Sequence, residues 1–108
     1  MKSARTKACE IPLAVKEKVY ERDGGRCVIC GRNGSPDMHY IPRSAGGLGI
    51  EQNIVCGCPG CHRDYDNGSA LGVNYREVYG GIIKTYLDEQ YPGFENEDRI
   101  FHKYKELK

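Results

Sequence analysis

Two Cys-x-x-C pairs, Cys27-Val-Ile-Cys30 and Cys58-Pro-Gly-Cys61, stand on either side of a polar segment in this chain. A two-residue gap lets both thiolates of a pair reach one ion. Two such pairs complete the tetrahedron that zinc prefers. Gly31, directly after the first pair, permits the tight turn this requires. Cys56 could compete as a ligand, but Cys58–Cys61 repeats the Cys27–Cys30 gap. Cys56 is therefore expected as a reduced, partly buried thiol and Cys9 as a bystander. An iron–sulfur or rubredoxin-like centre would use the same four thiolates. A second metal chemistry is suggested just past the second pair. If residues 62–66 continue as a helix, His62 and Asp66 stand at i and i+4, share a face and can grip one further ion. His39, Arg43 and Asn53 lie between the pairs.

The elements that must position these groups can be sketched from pattern. Ile11, Val15 and Val19 repeat at i, i+4, i+8, which predicts a helix from Pro12 to Glu21 ended by Asp23-Gly24-Gly25. Lys16, Lys18 and Arg22 are read as exposed cations on it, available to phosphate or simply solvated. A short strand is expected from Asp37, broken by Pro42. A flexible loop follows at Ala45-Gly46-Gly47-Leu48-Gly49, and Ile50–Val55 leads back as a second strand. Asn74-Tyr-Arg-Glu77 reads as a capping box opening a further helix, with a break or close packing at Gly80-Gly81. The tail from Phe94 is read as a short helix or an ordered strap.

At 108 residues this is one domain, and it is poorly supplied for a core: 39% hydrophobic, two Phe, no Trp and 14 Gly. Such chains need a staple, either disulfides or a metal. The first ten residues contain no apolar run, so a cytoplasmic, reducing setting is expected, and metal is favoured over disulfide. No stretch approaches the roughly 20 apolar residues of a membrane span. The expected layout is a flexible basic tail (1–10), a metal-stapled core (11–70) and a helical extension packed on it (71–108). Net charge is +1 overall, with residues 1–35 carrying +4, residues 36–66 carrying −2 and residues 67–108 carrying −1. A basic arm beside an acidic centre suits a protein that holds phosphate with one part and a cation with another, or is an ordinary solvated surface.

The series His39-Tyr-Ile-Pro42-Arg43-Ser44-x-Gly46-Gly47, Glu51-Gln-Asn53-Ile-Val55 and Cys58-Pro-Gly-Cys61-His62 resembles the HNH endonuclease family, in particular small phage-type members with paired zinc knuckles. The resemblance runs over roughly residues 10–66. It implies an α+β, zinc-stapled fold with a ββα-metal, treble-clef-like core and flanking helices. The implied activity is hydrolysis of DNA phosphodiesters, in a bacterial or phage-infected cell. His39 takes the general-base position, suited to an imidazole that is neutral near pH 7. Asn53 is the family's middle residue, whose amide can pin the Gly-rich loop through backbone bonds. His62 and Asp66 fall at the helical ligand positions for a catalytic Mg²⁺ or Mn²⁺. Family members often have His at the second, but a carboxylate suits a hard cation better. Arg43 holds phosphate or makes a surface ion pair.

Met38 does not fit, because many family members place Asp or His there as a ligand and a thioether is a poor partner for a hard cation. Three explanations stand: His62 and Asp66 suffice with waters and substrate oxygens, Asp37 reaches in from next door, or the ion binds weakly. The first is preferred, since adjacent strand residues point to opposite faces. The rival function is a non-catalytic zinc module that binds nucleic acid or a protein. A protein partner or a second copy is expected on segment 74–108, whose tyrosines exceed what a small core needs.

Overall fold

A computed structural model gives the structure of residues 2–103. The fold is a small α+β domain. Helix α1 spans Ala4–Cys9 and α2 spans Leu13–Asp23. Strands β1 (Ser35–His39) and β2 (Ile54–Gly57) precede α3 (Pro59–Asn67). A minimal hairpin of β3 (Ser69–Ala70) and β4 (Val73–Asn74) leads into α4 (Tyr75–Gln90). Short 3-10 turns lie at Arg43–Ala45 and Asn96–Arg99. None of the described helices is long and apolar enough to cross a membrane.

β1 and β2 pair antiparallel, with Met38 opposite Val55 and His39 opposite Ile54, and a bulge between Ser35 and Met38. The ββα unit β1–β2–α3 is the centre, with α2 and α4 on its flanks. Adjacent strand residues point to opposite faces, and each face here meets different chemistry. Met38 and Val55 enter a core closed by Tyr65 of α3 and by Ile83 and Leu87 of α4. Ile54 and Cys56 pack instead on Val19, Val15 and Ile11 of the α2 segment.

The helix ends follow their caps. α2 stops at Gly24, whose φ of +66° is the left-handed conformation that glycine adopts without strain. α3 begins with Cys58 as N-cap and Pro59 in the first turn. α4 begins where Asn74 Oδ1 accepts the Glu77 N–H at 3.2 Å. It then runs unbroken through Gly80-Gly81.

Several expectations are corrected. Residues 4–9 form a helix rather than an aperiodic tail, and Cys9 is buried. The Ala8 carbonyl accepts the Gly49 N–H, and the Arg5 guanidinium donates to the Ser44 carbonyl at 2.9 Å. α1 thus closes over the Gly-rich loop, which is packed rather than loose. A Cβ on Gly47 would sit 1.6 Å from the Ile41 carbonyl oxygen, and one on Gly49 would sit 1.8 Å from that of Glu10. These glycines serve close approach. Arg22 is not a free surface cation. It pairs with buried Asp23 and donates to the Glu51 and Ile54 carbonyls and the Tyr91 hydroxyl. Asp23 in turn accepts the Cys56 N–H and the Tyr86 hydroxyl.

Three tyrosines of this segment are spent internally: Tyr79, Tyr86 and Tyr91 pack against the core. The apolar side chains left exposed on α4 include Val78 and Ile82. Beyond α4 the chain returns as a strap. Arg99 is fully buried, donating to the Gln52 carbonyl and to Asn96, while Gly47 bridges Ile100. Met1 and residues 104–108, which fall in the expected tail and C-terminal extension, lie outside the described residues.

Candidate functional site

The first knuckle forms at the exit of α2. The Gly31 N–H bonds the Cys27 carbonyl, and Gly31 takes a φ of +79°. The second knuckle is the start of α3, where the Cys58 sulfur accepts the Cys61 N–H. The four sulfurs of Cys27, Cys30, Cys58 and Cys61 lie within 4.8 Å of one another, with Cys30 and Cys58 3.6 Å apart. A zinc–sulfur bond of about 2.3 Å implies tetrahedral sulfur–sulfur edges of about 3.8 Å, so the set fits zinc. These four cysteines are positioned to bind a zinc ion.

Their protonation fits as well. Burial opposes ionisation of Cys27, but the N–H groups of Cys30, Cys58 and Ile29 outweigh it and bring the thiol down to about 7. Burial and the neighbouring sulfurs push Cys61 up, the crowding that a divalent ion relieves. Cys56 stays outside the cluster. Its sulfur faces the Val19 carbonyl, and burial raises its thiol to about 12.

The cluster also fixes the direction of α3. His62 is the residue after Cys61, so pinning the start of α3 to the first knuckle sets where His62 and Asp66 project. His62 Nε2 lies 3.1 Å from Asp66 Oδ2, one helical turn on. Both line an open cleft of about 670 Å³ with His39 and Arg43. The four cysteines are the one group of three or more potential metal ligands gathered this closely among the described residues. His62 and Asp66 form a pair.

His39 reaches the cleft from β1 and is 9% exposed. Its Nε2 lies 2.8 Å from the Cys9 carbonyl oxygen. A carbonyl only accepts, so Nε2 carries the proton and the neutral ring keeps its lone pair on Nδ1. Burial holds the His39 pKa below the ordinary imidazole value; the Cys9 carbonyl opposes this and Arg43 adds to it.

Asn53 is fully buried and bonds backbone on both sides of the loop. Its Oδ1 accepts the Ile41 N–H at 2.9 Å, and its Nδ2 donates to the carbonyls of Ile41 at 3.1 Å and Leu48 at 2.9 Å. Those bonds use the amide completely enough to hold both ends of the segment after β1.

Two further residues line the cleft: Asp37, considered from sequence only as a less favoured substitute for Met38, and one that the sequence pattern does not reveal. Asp37 shares the cleft with His39 and pairs with Lys16 at 3.0 Å. Strand alternation holds the signal, counted from His39: residue 37 is two positions away and shares its face, whereas Met38 turns into the core. Met38 is therefore a packing residue on the opposite side from the cleft. The other is Arg76 of α4. The capping box places it in a first helical turn, but nothing local says that this turn abuts α3.

No protein-family model matches this chain. A type IV methyl-directed restriction enzyme, EcoKMcrA of Escherichia coli (strain K12), is 37% identical to it over 60 residues. The similarity is to a restriction enzyme. It covers 46% of this chain and 22% of that enzyme, so the chain spans less than a quarter of its relative's length.

Proposed function

We propose that this chain is a metal-dependent DNA endonuclease of the HNH type. The observation that carries the proposal is the convergence of His39, His62 and Asp66 on one cleft, with His39 oriented through Nε2 so that Nδ1 is its free base. Similarity to a restriction enzyme supports DNA as the substrate.

His39 takes the proton from a water attacking phosphorus, as a neutral, buried imidazole can near pH 7. Arg43, exposed on the same cleft, holds phosphate oxygens. Asn53 positions rather than reacts, keeping the segment after β1 in place. His62 and Asp66 would hold the divalent ion. Neighbouring ligands of an octahedral ion at about 2.1 Å lie about 3.0 Å apart, close to the 3.1 Å between these two side chains. When bound, Mg²⁺ or Mn²⁺ supplies Lewis-acid stabilisation of charge on the leaving 3′ oxygen. Two protein ligands are enough for Mg²⁺, which keeps several waters and takes up substrate oxygens. The products on this reading are 5′-phosphate and 3′-hydroxyl ends.

The test is nicking of supercoiled plasmid with Mg²⁺ or Mn²⁺. Wild type cuts. His39→Ala and Asp66→Asn lose cutting while keeping one equivalent of zinc. Undiminished cutting by pure His39→Ala overturns the assignment.

A second reading, a non-catalytic zinc module, is favoured by one observation: the family's third ligand position holds Met38, which is buried in the core. Failure of wild type to bind Mn²⁺, with or without DNA, selects that reading. Recruitment through segment 74–108 belongs to either one, supported by exposed Val78 and Ile82 on α4.

A further inference from the structure

Arg76 comes from outside the stretch that carries the motif residues, yet it lines their cleft. It is the second residue of α4, and its backbone N–H donates to the Gly68 carbonyl at 2.9 Å, tying the start of α4 to the end of α3. The side chain turns back over α3. Its guanidinium carbon stands 4.0 Å from the centroid of the Tyr65 ring, and Nη2 reaches the Asp66 carbonyl oxygen at 3.4 Å. Nη1 is shut from solvent and has no hydrogen-bond partner among the described residues. A buried donor left without an acceptor is unfavourable, so the fork is stacked on Tyr65 but incompletely satisfied.

Among the described residues, charge around the cleft leaves two guanidinium groups unpaired, and Arg76 is one of them. Of the cleft's three Lys and Arg side chains, Lys16 is neutralised by Asp37. Arg43 and Arg76 make no ion pair among the described residues. Arg43 comes from the segment after β1, and Arg76 from α4 beside the His62–Asp66 pair.

We infer that Arg76 is a second phosphate-binding residue of the cleft, closing on a non-bridging oxygen of the DNA backbone beside Asp66. A small rotation of the fork gives Nη1 the acceptor it lacks. The planar fork matches a phosphate's oxygens in a way that a lysine ammonium does not. The inference deepens the nuclease reading and rests on it for the identity of the phosphate.

The experiment measures binding of a fluorescent DNA duplex by anisotropy across a salt series in the uncleaving His39→Ala background. Arg76→Met keeps an apolar stem on Tyr65 and removes the charge; Arg76→Gln is a second charge-free variant, and Arg76→Lys restores charge without the fork. Zinc content and thermal midpoint are read on each. The expected result is a salt slope smaller by about one in the Met and Gln variants and recovered in Lys. In the otherwise wild-type background Arg76→Lys still cuts more slowly than wild type. Unchanged slopes in Met and Gln overturn the inference while a cutting wild type keeps the nuclease reading. A changed slope in a chain that never cuts removes the nuclease reading and leaves Arg76 as a phosphate contact. A chain that binds no DNA overturns both.

Discussion

The Nε2 of His39 lies 2.8 Å from the carbonyl oxygen of Cys9, and this bond makes α1 part of the candidate site. It selects the tautomer that leaves Nδ1 free, and burial under α1 holds the ring's pKa below its ordinary value. The base is thus neutral over more of the acid range than a free imidazole. The acid limb of kcat/KM should rise with pH through a midpoint below about 6.5 and level off above it. Stability follows the same sign. The folded-state pKa is the lower one, so the contribution is full above the unfolded value of about 6.5 and is lost as pH falls through the folded value. Melting His39→Gln beside wild type at several pH values should show a smaller acid-side decline for the variant. An acid limb centred above 7 would remove His39 as the base.

Asn53 makes three backbone bonds while fully buried. Asn53→Ala leaves the Ile41 N–H and two carbonyls without partners, a cost of about 3 kcal/mol. In a domain of this size that is a fall of roughly 15 °C in Tm. Asn53→Asp is the sharper probe, because a carboxylate accepts the Ile41 N–H but repels both carbonyls. Asp should melt no higher than Ala. An Asp variant close to wild type would mean the amide nitrogen does not hold the loop.

Much of this site was legible because ligand spacing is local. The Cys-x-x-C gaps and the i, i+4 separation of His62 and Asp66 carry their geometry within a few residues, and so does the Asn74–Glu77 cap. The illegible part depends on distant segments meeting. Residues 4–9 lack periodicity, and their helix is held by Gly49 and Ser44, some forty residues on. Arg22 looks like any surface cation until Asp23, Tyr91 and two carbonyls close on it. Gly47 and Gly49 suggest mobility in sequence, whereas the missing Cβ atoms make room for the Ile41 and Glu10 carbonyls.

Zinc should be a condition of folding, because four thiolates this close need the ion between them. The purified protein should be colourless with one equivalent of zinc. Removal by a strong chelator should abolish the cooperative melt seen by circular dichroism, and zinc should restore it. Cys27→Ser or Cys61→Ser should lose the metal. Cys56→Ser should keep it, since that sulfur faces the Val19 carbonyl outside the cluster. Zinc loss from Cys56→Ser equal to that from Cys61→Ser would redraw the ligand set.

Two glycine-to-alanine changes should act in opposite directions. At Gly49 a Cβ would stand 1.8 Å from the Glu10 carbonyl oxygen, and backbone cannot yield as a flexible side chain does. Gly49→Ala therefore has to push residues 9–10 off the loop, and with them the Cys9 carbonyl that orients His39. Both Tm and the cleavage rate should fall, and the His39 acid limb should move up toward 6.5 as the ring becomes hydrated. At Gly81 nothing lies within 4 Å of the added Cβ, and the residue is inside α4. Gly81→Ala should stabilise by about 1 kcal/mol through helix propensity, raising Tm by roughly 4–8 °C with the pH profile unchanged. If Gly49→Ala lowers Tm but leaves the acid limb where it is, α1 supports the fold without tuning His39.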